Sequence, residues 1–383
     1  MNLLDRHIFK SVLFTCVAAV GLFTFVVVLP NVIRDLVGPL LAGQLTTETA
    51  VRLTLLIFPF AVSFALPAGI LTGVLLTLGR LSADSEVTAM RAAGIGLGRA
   101  ARPVFILATL GMIGALYINL ESAPWARSQY HREFAVAVRT NPLSFIVPRT
   151  FIRDFKGIVI YVGEQEGRLL RDIWVWELDD QRRVTRFIRA ESGRVDFDEA
   201  TNSLVPHLLN ARTEERNTEN PEDFAKSPYA PAVQKAGDDL LRLSLDRYLS
   251  QTINKAKPEW MTYRPLRAEQ ARLAARPPGP PAQAKERARE EMKLSLILHE
   301  KLNLSLAVFS FALVGVPLGI KVSRRETSAN LGIALLLVMG YYLLTVMVKW
   351  LDGRPEFRPD LLLWLPNLLF IAVGAGLFRR MER

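Results

Sequence analysis

The chain of 383 residues holds one cysteine, Cys16, and four histidines, His7, His131, His207 and His299. A single cysteine excludes an internal disulfide framework, and its place in an apolar run suits packing better than chemistry. The histidines are scattered without metal-ligand spacing, which argues against a structural zinc site. No GxxxxGK[ST] stretch occurs, so the chain lacks the phosphate loop of an ATPase. "GIGLGR" (Gly94–Arg99) is glycine-rich, but no strand precedes it and it opens an apolar run, the wrong context for a nucleotide loop. No Ser/His/Asp grouping with a catalytic setting is present, and no cofactor is called for.

Charge is also missing where it matters most. Half of the residues are hydrophobic and the net charge is +10. Yet Ser11–Ile33, Leu53–Gly79, Pro103–Leu120, Leu302–Ile320, Thr327–Val348 and Leu361–Phe378 are nearly free of it. Even the shortest reach ~18 residues, enough to cross a bilayer as helices. Pro59 and Pro67 lie inside the second and are expected to kink it. The first run is too long for the apolar part of a cleaved signal peptide, so a retained helix is expected. The excess of basic residues flanks these runs and speaks for membrane orientation rather than nucleic-acid binding. Arg6 and Lys10, then Arg80, Arg91, Arg99 and Arg102, then Lys321, Arg324 and Arg325, then Arg379, Arg380 and Arg383 all fall on one side of six alternating crossings. The positive-inside rule makes that side, and both termini, cytoplasmic.

The third and fourth runs are separated by a segment long enough for a domain. "GIVIYVG" (Gly157–Gly163), "IWVWEL" (Ile173–Leu178), the stretch Arg183–Leu209 and "LLRLSLD" (Leu240–Asp246) read as strands, with turns expected at Ser192–Gly193 and near Asp198–Asn202. Asn217–Gly237 reads as a loop. "RPPGPP" (Arg276–Pro281) is a breaker, and the Ala/Arg/Glu/Lys-rich stretch after it a helix leading into the fourth span. The expected fold is an α-helical membrane protein with six transmembrane helices and an inserted all-β, jelly-roll-like external domain. Its divisions are 1–121 for spans one to three, 122–270 for the β domain, 271–300 for a linker and helix, and 301–383 for spans four to six.

"LSADSEVTAMRAAG" (Leu81–Gly94) places charges between two spans. Ser82 is expected to cap a short helix (82–94), with Asp84 and Glu86 at its positive end, Arg91 at its negative end and Gly94 terminating it. At 100° per residue, Ala83, Glu86, Val87 and Met90 are expected to share one broad face. Two readings stay open from this pattern: a knob for a cytoplasmic partner, or an amphipathic helix on the headgroups.

"LPAGILTGVLLTLGRLSADSEVTAMRAAGIG", "SAPWARSQYHREF" and "GVPLGIKVSRRETSANLGIALLLVMGYYLL" resemble the lipopolysaccharide-export permeases, the LptF/LptG family. The likeness covers both membrane halves; "SEVTAM" and "APW" are closer to the F branch. The resemblance implies a non-catalytic subunit of an ABC-type exporter in the bacterial inner membrane with a periplasmic β domain. It would pair with a paralogous permease, sit on a cytoplasmic ATPase dimer and join a single-span periplasmic bridge protein. It implies ATPase coupling through Asp84, Glu86, Val87, Met90 and Arg91. It also implies lipid contacts at the basic residues Arg34 and Lys349, with Phe25, Val28, Tyr341 and Leu344 as gate walls. Ordinary snorkelling of end-of-span cations is the competing account of Arg34 and Lys349. A structural or sensory membrane protein, or a permease for another lipid, are the competing accounts of the chain.

Overall fold

The computed structural model describes residues 3–41, 45–140, 146, 148–153, 157–179, 181–198, 203–215, 243–244, 257–276, 280–322, 327–351 and 354–382. Among them, six helical stretches are long and apolar enough to cross a membrane. They lie in Leu3–Leu41, Thr47–Ala83, Leu97–Ala137, Glu286–Lys321, Leu331–Lys349 and Pro359–Met381.

The chain opens with α1 (Leu3–Val32), a π-helical turn at Ile33–Val37 and the short α2 (Gly38–Leu41). Helix α3 (Thr47–Ala83) runs unbroken through Pro59 and Pro67. The short α4 (Glu86–Ala92) leads to α5 (Leu97–Tyr117), a second π-helical turn at Ile118–Ser122, and α6 (Ala123–Thr140). After the β domain come α7 (Tyr263–Ala274), α8 (Pro281–Val322), α9 (Thr327–Lys349), α10 (Pro359–Leu362) and α11 (Leu365–Glu382). The expected helix after the proline-rich breaker is the first part of α8.

Two compact units result. One comprises Met1–Val32, Thr54–Gln129 and Lys257–Arg383, the other Ile33–Leu53 and Tyr130–Ala256. In the first, helices approach closely where glycine removes the side chain. Gly69 and Gly73, one turn apart on α3, face α1; a Cβ on Gly73 would sit 2.6 Å from the Cys16 Cα. This is the small-xxx-small device by which helices pack in lipid, where burying apolar surface between them brings little gain. Helix α8 forms the axis of the bundle: 72% of its apolar window is buried, against 17% for α9. Around α8 gather Val12 and Cys16 of α1, Val74 and Leu78 of α3, and Val104 and Ala108 of α5, meeting Val308, Ala312 and Val316. Its other side holds Phe311 against Tyr341 of α9 and Phe370 of α11, with ring centroids 5.0 Å from each. Some polar side chains inside the bundle find partners there. Asn367 donates from Nδ2 to the Asn303 carbonyl at 2.8 Å, and Asn119 donates to Ser305 Oγ at 3.0 Å.

The second unit is built on one antiparallel sheet in sequence order, β1 (Thr150–Ile152), β2 (Ile158–Glu166), β3 (Leu169–Leu178), β4 (Val184–Asp198), β5 (Ser203–Glu215) and β6 (Leu243–Ser244). Alternation explains its two faces. Ile160, Val162, Ile173, Val175, Ile188 and Ala190 form an aliphatic core on one side. The expected turn at Ser192–Gly193 is not one; β4 continues through it. A Cβ on Gly193 would meet Ile173 Cδ1 at 2.7 Å and the His207 carbonyl at 2.9 Å, so this glycine serves close approach within the sheet. Of the expected turn near Asp198–Asn202, residues 199–202 lie outside the described residues; the flanking ends of β4 and β5 pair Asp198 with Ser203. Of the expected strand Leu240–Asp246, β6 covers Leu243–Ser244; the rest, and the expected loop Asn217–Gly237, lie outside the described residues.

Candidate functional site

Two places hold residues singled out from the sequence. The first is α4. The expected boundaries 82–94 are corrected at the front: α3 runs on to Ala83, and Ser85, with φ 61°, breaks the chain before Glu86. Ser82 does not cap α4. Its hydroxyl donates instead to the Ile320 carbonyl of α8 at 2.9 Å, which ties the end of α3 to the end of α8. Gly94 does terminate the helix. At φ 78° its N–H reaches the Arg91 carbonyl at 3.0 Å, while the Ile95 N–H reaches Met90 at 2.9 Å, the Schellman pattern. The helix has two unlike sides. Val87 and Met90 are buried in the core shared by α1, α3, α5 and α8. Asp84, Glu86 and Arg91 are exposed, beside the exposed Ala89 and Ala92. The charged side and the packed side thus belong to one short helix, with Val87 and Met90 as its contacts to the bundle.

The second place is a cavity of about 490 Å³ in the first unit, at the end of the bundle where α9 finishes. Phe60 and Phe64 of α3, and Ile297 of α8, supply apolar wall. Arg127, Lys257, Lys301 and Lys349 supply four cations, Glu259 and Glu300 two carboxylates, so the lining carries a net +2. The carboxylates are already engaged. Lys349 donates to Glu300, joining α9 to α8, and Glu259 pairs with Lys293 at 3.2 Å. The other cations are held differently. Lys301 donates to the Met261 carbonyl at 2.7 Å. The Arg127 guanidinium lies 4.8 Å from the Phe60 ring centre and the Lys257 ammonium 5.3 Å from that of Trp260. Among the described residues no carboxylate is within ion-pair distance of Arg127, Lys257 or Lys301. A half-apolar cavity with surplus positive charge fits an amphiphile with an anionic head. The three cations, Phe60, Phe64 and Glu300 were not singled out from the sequence. Their signal was faint: "HEK" (His299–Lys301) reads as the charged flank of a span.

The remaining sites are dispersed. Arg34 stands in the π-helical turn after α1, with its side chain 74% exposed and bonded to Asp35 at 2.7 Å. Such turns are frequent at functional positions. Phe25 is exposed on α1, whereas Val28 is buried. Tyr341 is buried between Phe311 and Phe370, and Leu344 is half-buried. Val28 and Tyr341 thus pack inside the protomer instead of forming an open wall.

A polytopic helix bundle interrupted by a β domain, with a cation-rich cavity at one end, defines a multi-pass membrane protein. The family model described as lipopolysaccharide export system permease LptF/LptG matches residues 6–380, and the chain belongs to that family. Relatives include the lipopolysaccharide export system permease protein LptF of Escherichia coli K12, of Escherichia coli O157:H7 and of Shigella flexneri. Each is 22% identical over 375 residues, covering 96% of this chain and 92% of the relative. The resemblance read from the two membrane halves, and its leaning toward the F branch, agree with these matches.

Proposed function

We propose that this chain is one permease subunit of an ABC-type exporter that draws lipopolysaccharide from the outer leaflet of the inner membrane. The observation that carries the reading is the cavity at the end of α9 in a member of this family. Lys349, Lys301, Lys257 and Arg127 would bind the phosphorylated head, and Phe60, Phe64 and Ile297 would border its apolar part. Lysines act as adaptable point charges toward phosphate, while Arg127 can grip it with two N–H groups. Separately from that cavity, Arg34 would offer phosphate a cation by exchanging Asp35, at small cost because an exposed ion pair contributes little.

The chain itself would not hydrolyse ATP; a cytoplasmic ATPase dimer would. Helix α4 would dock there through Glu86, with Asp84 and Arg91 beside it, and Val87 and Met90 would pass the motion inward. A partly shielded charge pair at such an interface counts for more than an exposed one. A paralogous permease would complete the path, with α1 and α9 offering their uncovered apolar surface at the pairing. The β domain would lie in the periplasm, both termini in the cytoplasm, and the lipid would pass to a single-span bridge protein.

The test is reconstitution with the ATPase and the partner permease in vesicles. Lipopolysaccharide should stimulate ATP hydrolysis, and Lys301→Ala/Lys349→Ala should reduce that stimulation while leaving assembly intact. Stimulation by glycerophospholipid alone would assign the chain to another lipid.

A further inference from the structure

The β domain carries its own cleft, built by residues the helix bundle does not supply. On the sheet face opposite the aliphatic core, direct pairing aligns Phe151, Tyr161, Trp174 and Arg189 in one row, with Trp176 opposite Phe187 in the next. The rings touch in series: Phe151–Tyr161 centroids are 5.1 Å apart, Phe151–Trp176 5.7 Å and Trp176–Phe187 5.4 Å. Together they make an aromatic patch of mutually tilted rings, at 43°, 44° and 34° in those three pairs. Beside it opens a cleft of about 1070 Å³, bordered by Phe151, Trp176, Arg153, Arg182 and Asp179 among others.

The charges there are not balanced as they are elsewhere on the sheet. Arg183 is paired with Asp179 at 2.8 Å, Arg186 with Glu177 at 2.5 Å and Arg189 with Asp172 at 3.7 Å. Among the described residues, no carboxylate pairs with Arg153 or Arg182, and both are exposed. Among the described residues, the one carboxylate bordering the cleft, Asp179, is spent on its own turn. It accepts from the Gln181 N–H at 2.9 Å, the Arg183 N–H at 2.8 Å and Arg183 Nε at 2.8 Å. That turn holds Arg182 at φ 63°, with its N–H on the Asp179 carbonyl at 2.9 Å.

The geometry points to a binding site for a phosphorylated saccharide, with phosphate on Arg153 and Arg182 and a sugar face on Phe151 and Trp176. Guanidinium matches phosphate in a bidentate fork. Aromatic rings offer the C–H face of a sugar a flat apolar surface, and an open cleft suits a hydrated ligand better than a hydrocarbon chain does. Only the source of the sugar, the head of an exported lipid, rests on the function proposed above; the site stands on this cleft alone.

Binding of a lipid-free phosphorylated oligosaccharide, prepared by deacylating lipopolysaccharide, tests this on the full-length protein in detergent. The protein carries Lys301→Ala/Lys349→Ala so that the membrane cavity does not contribute. Binding is expected to persist there and to weaken at least about tenfold when Arg153→Ala/Arg182→Ala is added, the scale of losing charge-assisted bonds. Trp176→Leu, which leaves both guanidiniums in place, should also weaken it. Equal binding of the enzymatically dephosphorylated oligosaccharide, or displacement by inorganic phosphate at the same concentration, would overturn the site. So would binding indifferent to Arg153 and Arg182 with an unchanged unfolding temperature. Loss of all binding in Lys301→Ala/Lys349→Ala would refute this cleft and leave the membrane cavity standing. Arginine-dependent binding without lipopolysaccharide-stimulated ATP hydrolysis would do the reverse.

Discussion

Lys349 and Glu300 give two substitutions with opposite expected signs in one cavity. Lys349→Ala removes a cation and leaves Glu300 facing the cavity without its partner, so the lining falls from a net +2 to +1. Glu300→Gln keeps nearly the same shape and raises it to +3. The side chains are 40% and 29% exposed, so the interaction with a bound phosphate is well screened. At about 6 Å and an effective dielectric of about 40, between protein surface and water, one unit charge is worth about 1.4 kcal/mol, or about tenfold in affinity. Lys349→Ala should therefore weaken lipopolysaccharide binding about tenfold and Glu300→Gln should strengthen it by a similar factor. The unfolding temperature serves as the control for loss of the ion pair itself. The assay is a lipopolysaccharide titration of ATP hydrolysis by the assembled exporter in nanodiscs, at fixed ionic strength because the effect is screened by salt. Half-saturation moving the same way in both variants, or in neither, would refute the cavity as the anion site.

Three further outcomes follow from other parts of the molecule. Glu86→Arg should abolish co-purification of the ATPase while leaving the unfolding temperature unchanged, since Glu86 is exposed; Val87→Ala should instead preserve assembly and lower coupling, as well as stability. Gly73→Ala would bring a Cβ to 2.6 Å from the Cys16 Cα, forcing α1 and α3 apart at a cost of about 1–3 kcal/mol by thermal unfolding, whereas Gly114→Ala, with nothing within 4 Å, should be near neutral. The Asp179 carboxylate is held below the ordinary carboxylate range, chiefly by the Arg183 backbone N–H, with desolvation opposing and the Arg183 guanidinium adding to it. Its stabilisation of the β3–β4 turn should be complete above the unfolded value, about 3.9, and lost as pH falls through the lower folded one; hydrogen exchange at Gln181 and Arg183 reads this, and Asp179→Asn should remove the pH dependence.

The spans were legible because a bilayer demands long charge-free runs, a constraint written into composition. Strand β2 was legible by its β-branched and aromatic composition and β3 by near-alternation. The break at Ser85 was not, because a serine carries no local signal for a left-handed backbone, and Ser82 was drawn away to Ile320 by a neighbour far along the chain. Gly193 misled for a related reason: Ser-Gly reads locally as a turn, while the sheet uses the glycine for closeness to Ile173 and His207. For the cavity, Lys349 was found through the resemblance, but its company was hidden. Arg127, Lys257, Glu300 and Lys301 come from segments distant in sequence, and each alone looks like an ordinary end-of-helix charge.

The central claim is that the cavity beside Phe64 and Lys349 holds the exported lipid. A photoreactive phenylalanine analogue at Phe64, irradiated in cells of a lipopolysaccharide-producing bacterium expressing the full exporter, tests it directly. The account predicts an adduct recognised by antibody to lipopolysaccharide, diminished by Lys349→Ala and sensitive to the ATPase's activity. Adducts with glycerophospholipid alone, in cells where the exporter is assembled and working, would contradict it.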